Sequence, residues 1–267
     1  MKSTRIISIV NQKGGVGKTT TTINLAAALT LLGQSVLLID MDPQGNATTG
    51  LGMTRGTTDM TLYDVLVDGA DIQGAIVETN VPGLDIIPSD LDLAGAELNI
   101  GASQDRTSRL KTALASFDKQ PDYILIDCPP ALGLLTVNAL AASDSVVVPL
   151  QCEFYALEGL SQLLKTVEMA KAKINPDLVI DGVMLTMYDK RNRLSDQVAA
   201  DVRKHLGRAV LSTIIPRNVR IAEAPSFGKP VMMYDPSCAG SKAYMNLGRE
   251  LLARHKRVAR PKTGETL

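Results

Sequence analysis

Tryptophan is absent from the 267 residues, and aromatic residues of all kinds amount to 3%. Any core must therefore be aliphatic, and base stacking along single-stranded nucleic acid has few platforms to use. The three cysteines, Cys128, Cys152 and Cys238, stand far apart with no C-x-x-C among them. That spacing excludes a disulfide framework and offers no zinc pattern, so the expectation is reduced thiols in or near a core. No apolar stretch approaches the roughly 20 residues that cross a bilayer. Lys2 and Arg5 precede a short apolar run, but Asn11-Gln12-Lys13 ends it too early for a signal peptide. An excess of one charge is missing as well: 28 Lys and Arg balance 28 Asp and Glu. The balance excludes a chain coated in basic charge and leaves room for a local basic patch.

What is present is an ordinary globular balance, 45% hydrophobic and 21% charged. Short β-branched runs alternate with longer segments of helical period. Strands are expected at Arg5–Val10, Ser35–Met41, Leu84–Pro88, Tyr123–Asp127, Ser145–Leu150, Val179–Thr186 and Val210–Pro216. Val36-Leu37-Leu38-Ile39 and Val146-Val147-Val148 are continuous apolar runs, as strands buried on both faces read in a parallel sheet. Helices are expected from about Lys18 to Leu32, along the stripe Leu157, Leu160, Leu164 and Val167, along Leu194, Val198, Val202 and Leu206, and from about Ala239 to Arg254. The pattern predicts an α/β fold: a mostly parallel twisted sheet with helices on both faces, in one domain with a basic, frayed tail from about residue 255. Gly45–Thr61, rich in Gly and Thr, reads as a mobile surface loop.

The first strand leads into Lys13-Gly14-Gly15-Val16-Gly17-Lys18-Thr19-Thr20 and then a helix. Phosphate binding demands this context. Glycines let successive N–H groups curl around an anion, and the helix N-terminus adds unpaired donors and the positive end of its dipole. Lys18 is placed for the β- and γ-phosphates and Thr19 for Mg²⁺. Gln12 stands where the ordinary G-x-x-x-x-G-K-[ST] loop has its first glycine, and Lys13 is an additional lysine. This is the deviant Walker A form of the P-loop, and the expected ligands are ATP and Mg²⁺. Two carboxylate-bearing strand ends complete the pattern. Asp40-Met41-Asp42-Pro43-Gln44-Gly45-Asn46 closes the second strand, and Asp40 and Asp42, two apart, are expected to share a face. One is read as holding the Mg²⁺ shell (Asp40) and the other as orienting an attacking water (Asp42). Asp127, ending Ile124-Leu125-Ile126-Asp127, is the Walker B pattern, near Mg²⁺ through water.

With these blocks, Asp127-Cys128-Pro129-Pro130, Gln151-Cys152-Glu153-Phe154-Tyr155-Ala156-Leu157-Glu158-Gly159 and Ile215-Pro216-Arg217-Asn218-Val219-Arg220, the sequence resembles the ParA/Soj chromosome-partitioning ATPases from about residue 5 to about residue 250. The resemblance implies a nucleotide-sandwich dimer in which Lys13 reaches the partner's phosphates while Lys18 holds those of its own subunit. It implies that Asp42 is needed for hydrolysis and that Pro216 and Asn218 hold the adenine. It further implies that the ATP dimer binds DNA without sequence preference, that a ParB-type centromere-binding protein stimulates a slow intrinsic hydrolysis, and that the protein is cytoplasmic and nucleoid-associated. The loop begins only about ten residues in, which leaves no room for the N-terminal helix-turn-helix of longer plasmid relatives.

The sequence offers three basic clusters for phosphate contacts: Lys190-Arg191-Arg193, Arg217 with Arg220, and Arg254-Lys256-Arg257-Arg260-Lys262. Arg191 and Arg220 match family positions implicated in DNA contact. Three rivals share the loop. A membrane-surface positioning ATPase of the MinD type needs a C-terminal amphipathic helix, and Arg254-His255-Lys256-Arg257-Val258-Ala259-Arg260-Pro261 has few apolar anchors for one. An electron-transfer iron protein needs cluster ligands, and Cys128 and Cys152 lack the surrounding pattern. A non-hydrolysing switch is disfavoured by Lys18, Thr19, Asp42 and Asp127 standing together.

Overall fold

A computed structural model describes residues 4–118, 120–154 and 156–258. The chain runs β1 (Arg5–Ile9), α1 (Lys18–Leu31), β2 (Val36–Asp40), α2 (Asn46–Gly50), β3 (Val77–Glu78), β4 (Leu84–Ile87), α3 (Ala96–Ile100), α4 (Arg109–Ala115), β5 (Tyr123–Asp127), α5 (Leu134–Ala142), β6 (Ser145–Gln151), α6 (Ala156–Lys173), β7 (Val179–Tyr188), α7 (Arg193–Leu206), β8 (Val210–Pro216), α8 (Val219–Glu223), α9 (Val231–Tyr234) and α10 (Ala239–Val258). The strands form one sheet in the order β3-β4-β2-β5-β1-β6-β7-β8. Its pairings are parallel except β3 on β4.

Alternation along the central strands divides their side chains between two cores. Leu37, Ile39, Ile124, Ile126, Val146 and Val148 pack under α5, α6 and α7 on one face. Val36, Leu38, Leu125 and Val147 pack under α1 and α10 on the other. Because both faces are covered, β2 and β5 are buried at all five positions. The helical stripes are wider than expected: Leu163 joins Leu160 and Val167 in the core, whereas Leu157, Leu164, Leu194 and Leu206 lie at its margin.

Parallel register levels the strand ends. Asp127 of β5 stands beside Ile9 of β1 on one side and Asp40 of β2 on the other. The loops after β1, β2 and β5 therefore open at the same height, where ligands of such sheets bind. At the opposite end, α10 is fastened by a buried polar chain. Tyr123 Oη lies 2.9 Å from His255 Nδ1, and His255 Nε2 lies 2.6 Å from Asp181 Oδ2. Arg254 donates to the Asp181 carbonyl at 3.0 Å. The edge strand β8 has its Ser212 and Thr213 N–H groups taken by the Glu250 carboxylate of α10 at 2.7 and 2.8 Å. At the other edge, β3 is two residues long.

Several expectations need correction. The strand β3 is additional; two residues carry no readable period. Gly45–Thr61 is not loop throughout: it opens with α2, whose Ala47, Thr48 and Gly50 are buried. The last helix continues past Arg254 to Val258, so the expected tail begins as helix. Arg254 itself is bound to Asp181, Val210 and Glu250 rather than presented outward. Arg260 and Lys262 lie outside the described residues. The thiols of Cys128, Cys152 and Cys238 are free, the first two buried.

Burial opposes ionisation of Asp181, yet the hydrogen bond and charge of His255 prevail and hold its carboxyl below the ordinary range. A carboxyl depressed on folding stabilises the native state above its unfolded pKa of about 3.9 and loses that contribution as pH falls through the folded value. The stability gap between wild type and Asp181→Asn, measured by urea unfolding, should accordingly narrow as pH is lowered from about 4 to about 2. A gap independent of pH in this range would show that the pair does not act this way.

Candidate nucleotide-binding site

The loop between β1 and α1 is shaped by its own backbone. Gly17 is the N-cap of α1 at φ 92°, a left-handed conformation that side chains resist. Asn11, buried at the strand end, fixes the loop's entrance: its Nδ2 donates to the Pro149 carbonyl at 2.7 Å, and its Oδ1 accepts from Lys13 N at 2.9 Å. Across the loop, Thr186 Oγ1 at the end of β7 donates to the Val16 carbonyl at 2.9 Å. Lys18 folds back inside the loop, with Nζ donating to the Lys13 carbonyl at 3.2 Å. Burial lowers the Lys18 pKa, while the charges of Asp127 and then Asp42 pull it the other way.

A cleft of about 790 Å³ lies against this loop, lined by Gly14, Gly15, Gly17, Lys18, Thr19 and Thr20 together with Asp42, Pro129 and Lys229. It adjoins a smaller pocket of about 300 Å³ lined by Pro216, Asn218, Ile221, Ala222, Thr186 and Tyr244. Gly17, Thr20, Met187 and Pro225 border both spaces. A polar, glycine-rich cleft continuing into an apolar pocket suits a phosphate chain joined to a flat base. Asn218 accepts from Arg220 N and Ile221 N at 2.9 and 3.3 Å and so caps α8 at the pocket's edge. Met187 has φ 50°, the one positive value at a non-glycine residue among the described residues. Such strain is typical of sites whose surroundings over-determine the backbone.

The carboxylates divide. Asp42 lines the cleft, and its Oδ1 accepts from Gln44 N at 2.9 Å. Asp127 is fully buried behind the loop; Oδ1 accepts from Thr22 Oγ1 at 2.9 Å, and Oδ2 has no hydrogen-bond partner among the described residues. Burial first, then the neighbouring Asp40, pushes Asp127 up to about 8, against the pull of the Thr19 and Thr22 hydroxyls. Asp40 departs from expectation. It shares no face of the cleft with Asp42 but is wholly buried, its oxygens accepting from Thr48 and from Asp42 N. Burial raises it to about 6.

This donor set fits a magnesium ion. Among the described residues no cluster of three His, Cys, Asp or Glu side chains could hold a metal alone. Mg²⁺ at phosphates needs no such cage, since it takes one or two protein oxygens and completes its shell with phosphate and water. The Thr19 hydroxyl and the unpartnered Asp127 oxygen are of the kind that would supply those.

Lys13 does not line the cleft. Its ammonium is paired with Glu153, just after β6, and its side chain is 49% exposed. Arg191, 86% exposed, is paired with Asp189 at 2.8 Å after β7. Arg217, whose N–H bonds Tyr188 O at 2.9 Å, adds its charge to the same aspartate. Arg220 on α8 faces Glu223 at 2.9 Å and Asp235 at 3.5 Å. Sequence reasoning missed Glu153, Thr22, Thr186 and Met187. Only Asn11, a polar residue directly after a buried strand, carried a signal of its own.

A parallel sheet with a glycine-rich loop at the N-terminus of the helix after β1, a loop-end Lys and Thr, and an aspartate ending the neighbouring strand define a P-loop nucleoside triphosphatase. Comparison with known proteins agrees: residues 4–180 match a family model described as an AAA domain. The chain is 57% identical over 254 residues to the chromosome partitioning protein ParA of Caulobacter vibrioides, covering 94% of this chain and 95% of that one. It is 54% identical over 249 residues to the sporulation initiation inhibitor protein Soj of Bacillus subtilis, covering 93% and 98%. Among solved structures, a Mycobacterium smegmatis protein named cobyrinic acid a,c-diamide synthase, bound to an ATP analogue and magnesium, superposes with a TM-score of 0.84 at 38% identity over 96% of this chain and 97% of that one. The Pyrococcus furiosus cell division ATPase MinD superposes at 0.78 with 30% identity, covering 95% and 99%. The chain belongs to the ParA/Soj family of chromosome-partitioning ATPases.

Burial raises the Asp127 pKa, so stability falls as pH rises from the unfolded value toward about 8. Asp127→Asn should therefore raise the melting temperature of the nucleotide-free protein near neutral pH. The same change should raise the Mg²⁺ concentration for half-maximal nucleotide binding by about tenfold or more. A variant that melts lower and binds Mg²⁺-nucleotide normally would remove Asp127 from the metal's surroundings.

Proposed function

We propose that the protein is an ATP-hydrolysing DNA-segregation switch: with ATP it forms a homodimer that binds DNA without sequence preference, and hydrolysis, stimulated by a ParB-type partner, releases it. The observation that carries the reading is the joining of one P-loop cleft, with Lys18, Thr19 and Asp42 on its walls, to an apolar pocket containing Pro216 and Asn218.

In this reading the base enters the pocket between Pro216 and Met187, and the phosphates follow the amides of Gly14 to Thr20. Lys18 offsets charge on the β- and γ-phosphates. Asp42 accepts a hydrogen bond from the attacking water and aims its oxygen at the γ-phosphorus; the new P–O bond forms as the bond to the bridging oxygen breaks, giving ADP and phosphate. Thr19 and Asp127 are the residues that would hold magnesium, which would supply charge neutralisation on the phosphate oxygens. Lys13 must leave Glu153 to reach a second subunit's phosphates, so an isolated subunit lacks one of its cations and turns over slowly.

Support for DNA binding comes from position and charge. Arg191 and Arg220 follow the C-terminal ends of β7 and β8, next to the base pocket, where nucleotide occupancy is able to influence them. The arginines are 86% and 51% exposed, and ion pairs with solvent on one side are weak and screened, so DNA phosphates can displace their carboxylate partners. A dimer doubles the patch. The protein acts in this reading in the cytoplasm on the nucleoid. Among the described residues no helix is long and apolar enough to cross a membrane.

The deciding experiment is binding to arbitrary duplex DNA with ATP and with ADP, for wild type and Arg191→Glu/Arg220→Glu. Binding should be tight and salt-sensitive only with ATP, and the double variant should lose at least about tenfold. Each arginine removed should also lower the slope of log affinity against log salt by about 1. Affinity indifferent to nucleotide would refute the switch.

A further inference from the structure

Asp42 rides on the segment Met41–Gly45 between β2 and α2, outside both elements, where backbone bonds hold only its two ends: Met41 N donates to the Asp127 carbonyl at 3.0 Å and Gly45 N to the Asp42 carbonyl at 2.8 Å. A group that must aim a water cannot tolerate a loose support, since misplacement by about 1 Å costs on the order of a hundredfold in rate. The support is a buried junction away from the cleft. Asp40 Oδ1 accepts from Asp42 N at 3.3 Å. Asp40 Oδ2 accepts from Thr48 N at 2.8 Å and from Thr48 Oγ1 at 2.7 Å. The same Thr48 hydroxyl accepts from Ser89 N, beyond β4, at 3.0 Å.

Thr48 thus joins three parts of the chain: the end of β2, α2 and the segment after β4. It is 2% exposed and does not line the cleft. Gly45 closes the junction from the other side. It stands at φ 56°, and a Cβ there would lie 2.9 Å from the Ser89 carbonyl oxygen. The segment after Ser89 carries Ala94 to the cleft wall, so the junction also ties that wall to the loop of Asp42. Both Asp40 oxygens are consumed in this work.

We infer that Thr48 is a positioning residue for hydrolysis: its hydroxyl orients Asp40, whose carboxylate fixes the backbone of Asp42, and Asp40 serves this frame rather than the metal. The inference rests on the reading of Asp42 given above. Removing the hydroxyl should leave nucleotide and metal binding intact, because the P-loop, Thr19 and Asp127 are untouched, and should slow only the step in which water is aimed.

The test compares Thr48→Val, Thr48→Ser and Asp40→Asn with wild type in three measurements: kcat of ATP hydrolysis, affinity for a fluorescent ATP analogue, and the Mg²⁺ concentration for half-maximal binding of that analogue. Thr48→Val should lose about tenfold to a hundredfold in kcat, with affinity and Mg²⁺ requirement within about twofold of wild type. Thr48→Ser, which keeps the hydroxyl, should recover most of the rate, and Asp40→Asn should not raise the Mg²⁺ requirement. If Thr48→Val does not fold, Gly45→Ala strains the same junction and carries the same expectation of lost kcat with retained binding. Wild-type turnover in Thr48→Val, or loss in Thr48→Ser as deep as in Thr48→Val, would overturn the role of the hydroxyl. A raised Mg²⁺ requirement in Asp40→Asn would return Asp40 to the metal. No hydrolysis by wild type, with or without DNA, would instead overturn the proposed function and this inference with it.

Discussion

The level register of β1, β5 and β2 is the constraint on which the rest of the site depends. Ile9, Asp127 and Asp40 are neighbours across three hydrogen-bonded strands, so the P-loop, the Walker B aspartate and the loop of Asp42 leave the sheet side by side. A slip of one residue in β5 would turn Asp127 to the opposite core and send an apolar side chain toward the phosphates. The two aliphatic cores hold that register because every position of β2 and β5 is buried. Catalytic geometry here is inherited from packing.

The same arrangement concentrates charge where water is scarce. Asp40 and Asp127 stand next to each other at no exposure, and Lys18 is largely buried behind the loop. Each carboxylate answers differently. Asp40 is stabilised by hydrogen bonds from Thr48 and Asp42, and Asp127 keeps one oxygen without a partner. Burial of an incompletely satisfied carboxylate weakens a fold, and a cation bound beside it would offset that cost.

Much of this was legible in the sequence because the signals are local. Val36-Leu37-Leu38-Ile39 reads as a strand covered on both faces, and a glycine-rich turn with Lys18 and Thr19 between a strand and a helix reads as a phosphate site. The illegible parts depend on distant partners. Thr48 sits in a Gly- and Thr-rich stretch whose composition says loop, and its bonds to Asp40, across the turn that follows β2, and to Ser89, 41 residues on, make it part of the interior. Asp40 and Asp42 look equivalent two residues apart, yet one is turned into the fold and the other into the cleft. Nothing near Lys13 announces Glu153, and nothing near Met187 announces its left-handed backbone. Arg254 reads as part of a basic tail, but its bonds to Asp181, Val210 and Glu250 employ it in fastening a helix.

The two borders of the sheet restrict how copies of the protein can meet. Glu250 occupies two amides of β8, and at the far side β3 is too short to template another strand. Continuous sheets built across subunits are thereby discouraged, and so is the runaway polymerisation that open borders invite. Contacts between copies are then left to the helical faces and to the rim where the loops emerge. Closed sides of this kind keep a protein built on a parallel sheet from adding to itself edge to edge.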